Sequence, residues 1–165
     1  MTEITFEQLL SITDDTKSAY YKLVILAGLD CAAKLRLIKK IVKSKNIPMI
    51  NFGLHLSRGL LDKTNRQRAL KAEEVALDVL DSHIKGELCV DHTELLFSSS
   101  LELNPLVFLQ EASRNRNLIA NWNGPLESGD LVFGEIGHPD YFRRKVQGCP
   151  VIAVSADKLH LHLTS

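Results

Sequence analysis

A short apolar run constrains the fold of this chain more than any other feature. Residues 23–27 read Leu-Val-Ile-Leu-Ala, and the run ends abruptly at Gly28. A strand with one exposed face alternates polar and apolar residues, whereas a strand buried on both faces is continuously apolar. We therefore expect a strand inside a largely parallel sheet that helices cover on both faces.

The rest of the chain alternates between helix and strand patterns. Helical spacing predicts helices over 5–12, from 32 to just before Pro48, over 69–84, 105–115 and 139–146, and leaves open a helix in the basic stretch after Gly53. Apolar runs predict further strands over 48–52, 87–91, 118–122, 131–136 and 150–155. This order predicts an α/β fold of three layers, with a mostly parallel five-stranded sheet, an additional edge strand and helices on both faces. Strand 131–136 is the candidate for an antiparallel edge.

Length and composition favour a single domain. With 165 residues and 45% apolar content, the chain can bury one substantial core, and we assign residues 1–165 to it.

No window approaches the roughly 18 consecutive apolar residues of a membrane span, and the first residues are acidic where a secretory leader is basic. We expect a cytoplasmic protein that does not enter a membrane. The three cysteines lack metal-ligand spacing and fit reduced thiols.

The segment after the first buried strand has the spacing of a phosphate-binding loop. Such loops read Gly-x-x-x-x-Gly-Lys-Ser/Thr between a strand and a helix, and their backbone N–H groups and lysine bind the phosphates of ATP. Here the eight positions are Gly28, Leu29, Asp30, Cys31, Ala32, Ala33, Lys34 and Leu35. Gly28 and Lys34 are in register, which predicts a nucleotide-binding P-loop fold of the ASCE type.

Three of these positions depart from the pattern. Ala33 adds a methyl group where the backbone approaches phosphate, and Leu35 replaces the hydroxyl that binds Mg²⁺. Asp30 would repel a phosphate group. A plain turn between strand and helix is therefore the alternative interpretation of this segment, and any ATPase activity is expected to be weak.

The third predicted strand ends on an acid that fits a metal-binding role. Asp91 follows an apolar run, as does the Walker B acid that holds magnesium from the neighbouring position in the sheet. His92 and Glu94 come directly after it and are candidates for a general base. An exposed or hydrogen-bonded histidine is the alternative for His92.

Polar residues around the fourth predicted strand are further candidates. Asn121 lies where related ATPases place a sensor of the γ-phosphate, although an asparagine can also begin a turn. Arg114 and Arg116 precede the strand and are candidate arginine fingers that act on a neighbouring subunit of a homo-oligomer. The alternative is a pair of surface arginines at a helix end.

Charge is unevenly distributed along the chain. Residues 34–71 contain eleven lysines and arginines and a single acid, Asp62, although the net charge of the whole chain is zero. Such a segment can contact DNA or other phosphates. It can equally form solvated helix faces that pair with acidic neighbours.

Several short strings together resemble the BrxF family, the small P-loop proteins of type 3 BREX (bacteriophage exclusion) defence systems. The resemblance spans most of the chain, and it rests on the order and spacing of the strings rather than on any one of them. They are Leu54-His55-Leu56-Ser57-Arg58-Gly59-Leu60-Leu61, Val90-Asp91-His92-Thr93-Glu94-Leu95-Leu96-Phe97, Ser113-Arg114-Asn115-Arg116, Trp122-Asn123-Gly124 and Gly137-His138-Pro139-Asp140-Tyr141.

Membership of that family implies a cytoplasmic prokaryotic antiviral protein that works beside a large ATPase, a methyltransferase and other BREX components. It places the family's phosphate loop on Gly28 and Lys34 and its Walker B acid on Asp91. Two functions stay open: a switch or assembly module that binds ATP and Mg²⁺ with little turnover, and a scaffold or DNA-contacting subunit that binds no nucleotide.

Overall fold

The computed structural model describes residues 1–163, which form five α-helices and ten strands. The helices are α1 (Phe6–Asp15), α2 (Cys31–Lys45), α3 (Phe52–Leu60), α4 (Asn65–His83) and α5 (Pro105–Ala112). The strands are β1 (Thr2–Ile4), β2 (Leu23–Gly28), β3 (Met49–Asn51), β4 (Glu87–Asp91), β5 (Asn117–Asn123), β6 (Leu126–Glu127), β7 (Asp130–Phe133), β8 (Phe142–Lys145), β9 (Val151–Ser155) and β10 (Lys158–His162). Short 3₁₀ turns lie at Thr16–Ser18, Glu94–Phe97 and Ser99–Leu101.

Local sequence signals account for the starts of α1, α4 and α5. The Thr5 and Thr64 side chains accept backbone hydrogen bonds at the beginning of α1 and α4, and a glutamine three residues later completes a capping box in both. Asn104 caps α5 in the same way, with proline at its first position. Within residues 1–163, no helix is both long enough and apolar enough to cross a bilayer.

Seven strands form the main sheet, in the order β1-β10-β9-β2-β5-β4-β3. The five strands from β9 to β3 are mutually parallel, while β10 and β1 extend the β9 edge in antiparallel fashion. The expected parallel core is therefore confirmed. The prediction of a single additional edge strand is wrong, because both β10 and the N-terminal β1 join that edge.

Helices cover the sheet on both faces, as expected. Successive residues of β2 point to opposite faces, so Val24 and Leu26 pack with α1 and α2, and Leu23 and Ile25 pack with α3, α4 and α5. All four side chains are fully buried. The continuous apolar run therefore reflects burial from two sides, and it leaves only the strand ends available for polar chemistry.

Two predictions for the last third of the chain are wrong. Strand 131–136 does not join the main sheet. Its residues 130–133 form β7, the middle strand of a separate antiparallel sheet with β6 and β8. Residues 139–146 contain β8 rather than a helix, because Phe142 packs on Trp122 and Phe97 while Arg143 bonds to Asp130 across the hairpin. Tertiary contacts thus override the helix signal of Pro139.

Candidate functional site at the carboxyl ends of the parallel strands

Polar side chains meet where the central parallel strands end. β2, β4 and β5 run in the same direction, so their last residues, Gly28, Asp91 and Asn123, lie along one edge of the sheet. Open α/β sheets bind ligands at this edge. The expectation that β4 lies next to β2, the strand before the predicted phosphate loop, is wrong, because β5 lies between them. β5 places Asn121 beside Asp91 and Asn123 beside Lys34.

The predicted phosphate loop forms a short, capped turn. β2 ends at Gly28 and α2 begins at Cys31, so only Leu29 and Asp30 connect them. The Asp30 carboxylate accepts a hydrogen bond from the Ala33 backbone N–H at 3.0 Å. Aspartate is a strong N-cap and alanine is the best helix former, so this local sequence starts the helix early. The carboxylate holds the helix N-terminus, where a phosphate group would otherwise bind.

Gly28 is required by the neighbouring backbone. Its φ of +134° is one that other residues rarely adopt, and a Cβ there would overlap the carbonyl oxygen of Val154 in β9. Its N–H donates to the Gly124 carbonyl at 2.8 Å. Close packing between β2 and its surroundings therefore explains this glycine without a ligand.

Lys34 is the most unusual side chain of the site, because it is 0% exposed. Its ammonium group donates to the Trp122 carbonyl and to Asn123 Oδ1, both at 2.8 Å. Burial lowers the pKa of Lys34 to about 8, and the nearby Cys31, Asp91 and Glu94 oppose that shift. The lysine thus lies at the predicted position but points into the strand ends.

Asp91 and Asn121 form the second part of the site. Asn121 donates from Nδ2 to Asp91 Oδ1 at 2.7 Å, and both residues are buried. The other atom of the same amide, Asn121 Oδ1, is buried without a hydrogen-bond partner. Carboxylate and amide oxygens are ligands that Mg²⁺ accepts, so this pair fits a hydrated cation. Within the described residues, however, no group of three or more His, Cys, Asp or Glu side chains is arranged to hold a metal ion.

Glu94 is connected to the lysine through Asn123, which is not among the predicted site residues. Asn123 Nδ2 donates to Glu94 Oε1, while Asn123 Oδ1 accepts from Lys34. Thr93, between the two acids of this segment, donates to the Asn121 carbonyl at 2.6 Å. A sequence signal existed, because residues two apart on a strand share a face, and Asn121 and Asn123 are two apart.

His92 lies at the rim of the cluster. Its φ is +56°, its side chain is 56% exposed, and Nε2 is 3.6 Å from Asp91 Oδ2. Its backbone N–H donates to Asp91 Oδ1 at 2.8 Å. The carbonyl of His92 also faces Gly53, where an added Cβ would lie 2.9 Å from it. The hydrogen bond to Asp91 and the close approach of Gly53 therefore both restrict the turn after β4.

The two candidate arginine fingers are not part of this cluster. They precede β5 and so lie at the other end of the strand that carries Asn121 and Asn123. Arg116 forms a two-pronged ion pair with Asp81, at 2.6 and 2.8 Å. Arg114 contacts Glu111 at 3.3 Å and lies over the Tyr20 ring. A role for them at a neighbouring subunit stays a prediction.

Four of the remaining loop positions face outward. Leu29, Cys31, Ala32 and Leu35 are exposed, whereas Ala33 is buried in the α2 side of the core. Leu35 therefore presents an exposed apolar side chain at the position where a phosphate-binding loop has its metal-binding hydroxyl. Comparison of the chain with protein-family models, with curated proteins and with solved structures gave no significant match.

Proposed function

We propose that this chain is a catalytically degenerate P-loop protein of the ASCE type, which binds nucleotide weakly and acts as a switch or assembly module. One observation carries the proposal: Lys34, Asp91, Asn121 and Glu94 come together at the carboxyl ends of parallel strands. The strand order gives further support. One strand, β5, separates β2, which precedes the predicted loop, from β4, which carries Asp91, as in ASCE proteins.

Asp91 and Asn121 are the residues that would hold a magnesium ion, which would neutralise phosphate charge. Lys34 would neutralise phosphate only after its ammonium leaves the Trp122 carbonyl. Leu35 supplies no metal ligand, and Asp30 already caps the helix. Removing one well-placed contact of a transition state typically costs about 10²-fold in rate. The missing metal ligand at Leu35 and the helix N-terminus occupied by Asp30 are two such losses, so we expect little turnover.

The resemblance to the BrxF family supplies the biological setting of the proposal. In that setting the protein acts in prokaryotic antiphage defence, in the cytoplasm, beside a large ATPase and other BREX components. Arg114 and Arg116 would then act across a contact between copies of the chain. The 47% exposure of the Arg114 side chain leaves it accessible for such a contact.

A scaffold that binds no nucleotide is the second candidate function. The specific observation in its favour is that both anion-binding elements of the loop already have partners within the chain. Asp30 holds the helix N-terminus, and Lys34 is fully buried. In this alternative the cluster stabilises the fold, and the protein acts through the partners it binds.

Titration with a fluorescent ATP analogue, with and without magnesium, separates the two functions. The switch requires saturable binding that Lys34→Ala abolishes. Lys39→Ala, which changes an exposed residue of the same helix, should leave this binding intact. Equal binding by both variants, or none by the wild type, would overturn it. Leu35→Thr gives an independent measurement at an exposed position, since a restored hydroxyl should increase magnesium-dependent affinity.

A further inference from the structure

The outer surface of α2 carries an unbalanced positive charge. The helix contains six basic residues and no acidic one. Lys34 is buried, and Lys45 is paired with Asp14 and Glu87 at 2.9 Å each. The other four, Arg36, Lys39, Lys40 and Lys43, are exposed, and within residues 1–163 none of their side chains has a hydrogen bond or an acidic partner.

These four side chains form one row. Arg36 and Lys40, like Lys39 and Lys43, are four positions apart, so the two pairs lie side by side on the same side of the helix. A rise of about 1.5 Å per residue spreads the four over roughly 10 Å. Lys40 is additionally placed over the Phe6 ring of α1, at 4.2 Å from its centroid. The row therefore lies beside the groove between α1 and α2.

The basic residues of α3 and α4 lie elsewhere on the molecule, and two of the four have partners within the chain. These helices pack on the opposite face of the sheet from α2. Arg68 donates to the Leu60 carbonyl at 2.9 Å, and Lys71 pairs with Glu74 at 3.3 Å. The basic segment 34–71 is therefore not one surface. Within the described residues, α2 presents four unpaired basic side chains, whereas α3 and α4 present only Arg58 and Arg66, one on each helix.

A cleft of about 330 Å³ opens next to the row. Arg36 and Lys40 line it together with apolar side chains that include Phe6, Leu37 and Leu159. Asp157 is the single acid among its lining residues, and Lys158 lies beside that acid. Ala33 of the predicted loop and Val154 and Ser155 at the end of β9 also line this cleft. Lys34, Asp91, Glu94, Asn121 and Asn123 are not among its lining residues.

We propose that the α2 row and the adjoining cleft bind the phosphodiester backbone of a single-stranded nucleic acid. Unpaired cations in line suit successive phosphates, and a partly apolar cleft beside them accommodates an unstacked base, which is the combination that single-strand-binding surfaces use. The charged side chains of this surface differ from those that would bind nucleotide at the strand ends. An acidic protein segment without aromatic residues would use the charges but would leave the cleft without a ring to accept.

Fluorescence anisotropy with labelled 20-residue oligonucleotides tests the proposal. Four phosphate contacts predict that log affinity falls with log salt at a slope of about −3, or roughly 50-fold between 50 and 200 mM salt. Single-stranded DNA and RNA of one sequence should bind more tightly than the corresponding duplex. Equal or tighter binding of the duplex would overturn the single-strand assignment.

Paired triple variants locate the surface. Arg36→Ala/Lys40→Ala/Lys43→Ala should reduce the slope by about 2, because three contacts are lost. Arg58→Ala/Arg66→Ala/Lys71→Ala removes the same charge from the opposite face and should leave the slope unchanged. Alanine favours helix, and circular dichroism checks that both variants fold. Equal loss in both variants, or displacement of the oligonucleotide by polyglutamate of equal charge, would overturn the proposal.

Discussion

Asn123 joins Lys34 to Glu94. Its Oδ1 accepts from the Lys34 ammonium at 2.8 Å, and its Nδ2 donates to the Glu94 carboxylate. A lysine and a glutamate from different elements are thus connected through one amide at the end of β5. Because the lysine is fully buried, its hydrogen bonds must come from the protein.

Asn123→Ala should therefore destabilise the fold. The substitution leaves the buried ammonium with the Trp122 carbonyl as its remaining acceptor, and a buried polar group deprived of a partner costs about 1–3 kcal/mol. Urea unfolding measures the loss. Asn115→Ala, at an exposed position, should change the free energy of unfolding by less than about 0.5 kcal/mol. Similar losses for both variants would contradict the role given to Asn123.

The titration of Lys34 should appear in the pH dependence of stability. Burial lowers its pKa in the folded protein to about 8 from 10.5. Below both values the lysine is charged in the folded and unfolded states, and the folded state bears the full penalty of burying the charge. Between them only the unfolded state keeps the proton, so rising pH relieves the penalty and stabilises the fold.

Lys34→Met lacks this titration and serves as the reference. The free energy of unfolding of the wild type, relative to the variant, should rise by about 3 kcal/mol from pH 8 to pH 10.5. The buried thiols of Cys89 and Cys149 titrate in both proteins and cancel in the comparison. A difference that stays constant with pH would show that Lys34 is solvated.

Glu87 should stabilise the other end of the sheet. Its buried carboxylate lies 2.9 Å from the Lys45 ammonium and 3.1 Å from that of Lys17, and so links β4 to α2 and to the turn after α1. Glu87→Gln removes the buried one of the two carboxylates that pair with Lys45 and leaves it only the exposed Asp14, at a cost of about 2 kcal/mol. Glu74→Gln, in an exposed pair with Lys71, should cost less than about 0.5 kcal/mol. Equal thermal shifts in the two variants would refute the assignment.

The three cysteines should differ in reactivity toward a thiol reagent. Cys31 is exposed at the beginning of α2, whereas burial raises the pKa of Cys89 to about 12 and that of Cys149 to about 11. Ellman's reagent should therefore label one thiol rapidly in the folded protein and all three in urea. Cys31→Ser should remove the rapid phase; its persistence would place the reactive thiol elsewhere.

Sequence patterns predicted the features that follow from strand burial and from the parallel direction of the strands. The apolar runs located β2 and β4, and the convergence of their carboxyl ends brought Asp91 near Lys34. The residue at which α2 begins could not be predicted in this way. Gly28 and Lys34 keep their spacing whether the intervening residues form an open loop or a helix capped by Asp30, so the spacing alone does not distinguish the two.

The small antiparallel sheet was missed for a different reason. Its first hairpin turns at Ser128 and Gly129, which both have positive φ, and such two-residue turns have a recognisable sequence signal. Its third strand has no comparable signal. Phe142 is held there by contacts with Phe97 and Trp122, which are distant in sequence.

Trp122, the single tryptophan of the chain, gives this molecule an internal optical reporter. Its indole is fully buried, donates to the Val132 carbonyl at 2.9 Å and contacts Phe97 and Phe142, while its own carbonyl receives the Lys34 ammonium. Emission from this one residue should therefore respond when the lysine changes partner. Ligand binding at the strand ends and docking of the small sheet can be followed in the unlabelled protein.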